Sequence, residues 1–188
     1  MDASRLSSRP TSLARTTLLL VLATESTLFG TLLMAYLYLR VSAANNTFVP
    51  PSTVDVLIAG LNSGVLLLSA WAAQRAVQAV KRNHLTGLKA NLVVALALGL
   101  VFVGGQVFEF YRSGMAPDDP AFGGIYFTLI GFHALHVLAG IVALAVNAVR
   151  AALGDFSARR YTAVEVGTWF WYYVTGVWLV LFTALYLV

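Results

Sequence analysis

Five stretches of this sequence stay predominantly apolar for the width of a lipid bilayer: residues 16–38, 56–79, 88–111, 123–149 and 162–187. A helix climbs about 1.5 Å per residue, so about 20 such residues cross a ~30 Å hydrocarbon layer. Each run therefore reads as a spanning helix, and the short connections make neighbours antiparallel in one bundle. Composition agrees, since 59% of residues are hydrophobic and only 11% charged, against about 25% charged in ordinary soluble domains. The predicted fold is an all-α polytopic membrane protein. Residues 1–14, Ser- and Arg-rich with Pro10, form a cytoplasmic tail, and residues 15–188 form a single five-helix transmembrane domain. Val41-Ser42-Ala43 imitates a signal-cleavage site, but the run before it is too long for a signal peptide and contains Glu25. It is read as retained.

The basic residues orient the bundle. Arg5, Arg9 and Arg15 precede the first run; Arg75, Lys81, Arg82 and Lys89 surround the second connection; Arg150, Arg159 and Arg160 surround the fourth. The other two connections carry Arg40 and Arg112, with Asp55, Asp118 and Asp119. By the positive-inside rule the N-terminus is cytoplasmic and the C-terminus lies on the opposite side. The basic loops are topology signals and neighbours of lipid headgroups, and they do not indicate nucleic-acid binding. Asn45-Asn46-Thr47 lacks glycosylation spacing, Pro50-Pro51 break the chain between the first two helices, and Pro117 and Pro120 mark the acidic third connection.

Polar residues inside apolar runs are costly and mark candidate sites. His133 and His136, in Gly131-Phe132-His133-Ala134-Leu135-His136, are three apart and share a helix face. Glu25, in Thr24-Glu25-Ser26-Thr27, lies about ten residues or ~15 Å into the first run. It is expected to be neutral and hydrogen-bonded inside the bundle. Its Ser/Thr neighbours are the local candidates for that bonding. Gln106 and Glu109 share a face near the outer surface, and Arg112 is spaced to pair with Glu109. Glu165 opens the last run near the cytoplasmic side. Gly60-Leu61-Asn62-Ser63-Gly64 predicts close helix packing at Gly60 and Gly64, with Asn62 bonding to a neighbouring helix. The aromatic run Trp169–Trp178 is wider than one interfacial belt, so part of it must pack inside the protein or against a neighbour. His84 falls in a polar loop.

These residues exclude several functions. With no cysteine there are no disulfides or thiolate ligands. Three histidines, one of them in a loop, are too few for a catalytic subunit that binds two haems and copper. A small b-type haem protein needs imidazoles from opposite sides of the porphyrin, and His133 and His136 share a side. No third ligand is placed with them, so no metal site is predicted. A stand-alone proton or ion carrier using Glu25, Glu109, Glu165 and the histidine pair remains an alternative. The absence of internal repeats and of broken helices counts against it.

Taken in order, several elements resemble subunit III of the haem–copper oxidases, cytochrome c or quinol, in its shorter five-helix form. They are Glu25, Leu61–Leu67, Gln106-Val107-Phe108-Glu109-Phe110-Tyr111, Gly131–Gly140, Glu165 and the Trp169–Trp178 run. The resemblance covers nearly the whole chain after the tail. It implies a non-catalytic subunit of a terminal oxidase that supports the catalytic subunit, binds structural phospholipid and sustains proton uptake. Glu25, His133, His136, Glu109, Gln106, Glu165 and Trp171 become its lipid- or proton-related candidates. It further implies no cofactor in this chain, haem and copper in partner subunits, and subunits I and II as partners. The expected location is the plasma membrane of a bacterium or archaeon rather than the mitochondrial inner membrane. Two positions depart from the family pattern: Tyr172 stands where histidine is frequent, and Thr175 where aspartate is. They bring in a relative, the subunit-III-like protein associated with nitric oxide reductase, and weaken any proton-handling role for that helix.

Because the chain has no cysteine, its orientation is directly testable. Asn45→Cys is expected to react with an impermeant thiol reagent from outside the cell, and Asn83→Cys only after the membrane is opened. The reverse labelling pattern would invert the topology.

Overall fold

The computed structural model describes residues 9–42, 56–113 and 123–187. They form five helices, α1 (Arg9–Ser42), α2 (Val56–Lys81), α3 (Leu85–Ser113), α4 (Gly123–Ala152) and α5 (Thr162–Phe182). A π-helical turn, Thr183–Leu187, closes the last of them. All five are long and apolar enough to cross a membrane. The helices run past the apolar stretches at most ends. Charged and polar residues such as Arg40, Lys81, Arg112 and Arg150 continue the helical backbone there. The largest extension is at α1, so residues 9–14 of the predicted tail are its first turns. Residues 1–8, the Asn45–Thr47 and Pro50-Pro51 segment and the Pro117–Pro120 connection lie outside the described residues.

Two turns on the basic side are short because the backbone closes them. After α2, His84 N–H bonds Ala79 O and Asn83 N–H bonds Val80 O. After α4, Asp155 N–H bonds Arg150 O and Gly154 N–H bonds Ala151 O. Both are Schellman endings, which need a residue with positive φ just past the helix. Asn83 (φ 57) and Gly154 (φ 84) supply it.

Helices α2, α3, α4 and α5 form a closed ring in which each packs on the next and α5 returns to α2, the α2–α3 pair being the most extensive. Helix α1 stands outside the ring, against α5 and α4. The ring core is built on Trp171, Trp178, Phe102, Leu66, Leu92 and Leu144, all essentially buried. A second cluster joins α1 to α4 and α5 through Phe29, Tyr36, Tyr126, Leu129 and Leu181. The aromatic run of α5 divides as helical geometry requires. Trp171 and Trp178 point inward with no exposure, while Trp169 and Tyr172 point outward.

Small residues admit these indoles, though not at the expected positions. A Cβ at Gly140 would collide with the Trp171 ring, and one at Gly99 would lie 3.1 Å from it. A Cβ at Gly105 would press on the Asn62 amide at 2.6 Å. By contrast a Cβ at Gly64 would meet nothing within 4 Å, and one at Gly60 would make only an ordinary 3.9 Å contact with Phe182. The predicted close approach at Gly60 and Gly64 is therefore corrected: α2 meets its neighbours through Asn62, Ser63 and Ser69 on an adjacent face. Asn62 donates to Phe102 O on α3 at 3.0 Å. Trp171 Nε1–H donates to Ser69 Oγ (3.1 Å), and Ser69 donates on to Ala95 O of α3 (2.7 Å). Trp178 Nε1–H donates to Ser63 Oγ at 2.8 Å.

This packing separates two glycines that look alike in sequence. Gly140→Ala is expected to lower stability in detergent by about 1–3 kcal/mol through overpacking on Trp171. Gly64→Ala should be neutral or raise stability by about 0.4–1 kcal/mol, because it restricts the unfolded chain without meeting a neighbour. Unfolding of the two variants side by side checks this, and equal losses would refute the placement of Trp171.

Candidate functional site

The polar side chains inside the apolar runs assemble at three levels. At the middle level, α1 brings Glu25 and α4 brings His136 together, with His136 Nε2 3.0 Å from Glu25 Oε2. His136 Nδ1 lies 2.7 Å from Phe132 O on its own helix. A carbonyl can only accept, so Nδ1 carries a hydrogen. Between Nε2 and Oε2 there is then room for one proton. Either a carboxylic acid donates to a neutral imidazole, or an imidazolium donates to a carboxylate. Both arrangements leave the pair electrically neutral, the condition under which two ionisable groups are tolerated at this depth.

The Ser/Thr neighbours of Glu25 are occupied elsewhere. Thr24 bonds Val21 O, Ser26 bonds Leu22 O, and Thr27 bonds Thr24 O, each returning to its own helix. The partner of Glu25 comes from another helix. Phe29 covers both histidines edge-on, with its ring 5.0 Å from His136 and 6.3 Å from His133. The two histidines thus share the predicted face but have different surroundings. His133 is 2% exposed, stacks on Trp178 at 5.3 Å, and has no hydrogen-bond partner for either ring nitrogen among the described residues.

At the basic end Glu165 is buried and held by two cations. Arg15 of α1 reaches Oε2 through Nε (2.9 Å) and Nη2 (2.5 Å), and Lys81 of α2 reaches Oε1 at 3.0 Å. Glu165 lies in the first turn of α5, where the helix dipole also favours a carboxylate. Arg15 and Lys81 are more than orientation signals, since they tie three helices together.

At the opposite end Gln106 Nε2 lies 3.4 Å from Glu109 Oε2. Tyr186 of the π turn lies beside Glu109 and Tyr126. Arg40 donates to Tyr36 Oη (2.9 Å) and approaches Ala184 O (3.4 Å). Arg112 is exposed at the end of α3. Sequence reading missed Tyr36, Tyr126 and Tyr186, for an interfacial tyrosine looks the same whether it faces headgroups or a carboxylate. From Glu165 to Tyr186 the last helix climbs about 30 Å, so the three levels span the hydrocarbon layer.

Trp171 sits in the ring core on Ser69, so its position is that of a packing residue. Thr175 is buried and its hydroxyl bonds Trp171 O at 2.9 Å. The group replacing the family's frequent aspartate therefore asks for no ionised partner. Tyr172 faces outward. Among the described residues no three His, Cys, Asp or Glu side chains gather as a metal site, and both nitrogens of His136 are engaged.

Comparison with known proteins places nearly the whole chain in one family. Residues 11–188 match the family model described as cytochrome c oxidase subunit III. The chain is 31% identical over 172 residues to cytochrome c oxidase subunit 3 of Thermostichus vulcanus, covering 90% of this chain and 85% of that protein. It is 32% identical over 171 residues to the probable cytochrome c oxidase subunit 3 of Mycobacterium tuberculosis, covering 89% and 84%. The Synechocystis cytochrome c oxidase subunit 3 is 30% identical over 171 residues, covering 89% and 72%.

The basic-end tie has a measurable signature. Glu165→Gln is expected to lower the unfolding free energy by about 1–3 kcal/mol. In that background Arg15→Met should cost close to nothing, because the partner is already gone. An undiminished Arg15→Met penalty would show that the contact carries no energy.

Proposed function

The chain belongs to the cytochrome c oxidase subunit III family, and on that premise we propose how its polar interior serves a terminal oxidase. It is a non-catalytic subunit of such a complex and a multi-pass protein of the plasma membrane. Its neighbours in the complex are the catalytic subunit I and subunit II. We assign haem and copper chemistry to those partners.

The observation that carries the reading is the Glu25–His136 contact. A neutral pair holding one proton at mid-depth can pass that proton between its members without placing net charge in the membrane. This suits a subunit that sustains proton delivery to a neighbour while doing no redox chemistry itself. The groove beside it suits structural phospholipid. Between α1 and α5 lies an open space of about 370 Å³ lined by Phe29, Gly30, Leu33, Gly176, Val177 and Val180. Gly30 and Gly176 leave it unfilled, since a Cβ on either would meet nothing within 4 Å. An acyl chain fits such an apolar trough, and no charged side chain lines it among the described residues.

The test uses the assembled complex. Glu25→Gln keeps a hydrogen bond to His136 but removes the exchangeable acid. Glu25→Leu removes both and strands Nε2, at about 1–3 kcal/mol. Both complexes should keep the parent haem and copper spectra and initial rate, while activity over many turnovers decays faster than in the parent. Parent-like endurance in both variants would remove the proton role, and loss of a haem band with the subunits still assembled would overturn the non-catalytic assignment.

A further inference from the structure

Most cations at the ends of the helices find an oxygen within the bundle. Arg15 and Lys81 meet on Glu165, Arg150 reaches Asp155, and Arg40 reaches Tyr36 and Ala184 O. Arg75 of α2 does not. It is exposed, and it has no hydrogen bond or ion pair among the described residues. Its guanidinium lies over the ring of Trp71, 4.6 Å from the centroid, and Trp71 is itself exposed.

The depth of this contact makes it costly. Lys81 and Arg15 share Glu165 and so mark one level of the bundle. Trp71 stands ten residues before Lys81 and Glu25 ten after Arg15, about 15 Å in each case. Trp71 is therefore near the depth of the Glu25–His136 pair. Helix side chains lean toward the N-terminus of their own helix, and the Trp71 contact turns Arg75 that way, toward mid-depth and away from the basic end. A lipid phosphate would draw the side chain in the opposite direction. An aromatic face offsets only part of the cost of a cation in hydrocarbon. The remaining charge calls for an acid brought in from beside the bundle.

The residues around Arg75 suit a helix as its carrier. Leu61, Gly64, Leu68, Trp71, Arg75 and Gln78 recur at alternating spacings of three and four, the period at which one helix packs along another. All but the half-buried Gly64 are exposed. A Cβ at Gly64 would meet nothing within 4 Å, which leaves room for a close neighbour.

We propose that this face of α2 docks a transmembrane helix of another chain, and that the partner helix carries a carboxylate that pairs with Arg75 near the level of Trp71. The guanidinium donates to the carboxylate through its edge while its face stays on the indole. The inference needs a membrane partner but not that this partner be an oxidase subunit, so its failure would leave the reading of Glu25 untouched.

The experiment uses the full chain in its own membrane, with a benzophenone side chain placed at Leu68 and, as a control, at the exposed Val142 of α4. Illumination is expected to join Leu68, but not Val142, to a membrane-spanning segment of another chain that holds Asp or Glu within about one helical turn of the cross-link. Arg75→Gln, and conversion of that partner carboxylate to its amide, should each raise the dissociation constant of the complex in mild detergent about tenfold. The two changes together should do no more than either alone. The Arg75→Gln chain by itself should unfold as the parent does, because Arg75 touches only Trp71 within this chain. Cross-links from Leu68 to lipid alone, to a second copy of this chain or to a segment without an acid at that level would each overturn the proposal. So would parent-like association of Arg75→Gln, additive effects of the two changes, or lowered stability of the Arg75→Gln chain alone.

Discussion

Everything in the ring depends on two indoles of α5 reaching the hydroxyls of α2. In a bilayer helices gain little from burying apolar surface against one another, because lipid is as apolar as leucine. Shape and hydrogen bonds decide the association. Trp171 and Trp178 supply both, since each fills a large volume and each donates its one N–H to a serine. Ser69 passes the connection on to the α3 backbone, so one side chain links three helices. Gly99 and Gly140 leave the room that Trp171 occupies. Without those gaps α4 would stand off from α5, and His133, stacked on Trp178, would lose its wall.

Helix α1 obeys a different rule. It is largely exposed and packs mainly on α4 and α5, yet it is joined to the ring at every depth by polar contacts: Arg15–Glu165, Glu25–His136 and Arg40 with Ala184 O. Each is stronger in a low-dielectric surrounding than it would be in water. An otherwise apolar helix could rotate or slide against its neighbours. These three contacts specify one rotation and one height.

The polar levels also separate tasks. The two ends hold charges that can reach the interface, while the middle level holds a pair that is neutral in either proton arrangement. With Tyr172 and Thr175 in α5, the ionisable pair of the middle level comes from α1 and α4.

Much of this was legible in the sequence. Apolar run length alone determined five spanning helices, because backbone polar groups in lipid must be satisfied within the helix and a span needs about 20 residues. The spacing of His133 and His136 determined their shared face, and the rarity of Glu25, Glu109 and Glu165 marked them as residues with partners to find. Which partners could not be read, since contacts such as those of Arg15 with Glu165 and Tyr186 with Glu109 join residues far apart in the chain. Nor could the sequence tell one glycine from another. Gly60 and Gly64 form the familiar small-residue pattern, but Gly99, Gly105, Gly140 and Gly167 are among those that neighbouring helices press upon. Helix periodicity places a residue on a face, whereas the rotation of each helix about its own axis is set by what packs against it. That rotation, decided by Trp171, Trp178 and the polar ties of α1, is what only the tertiary structure determined.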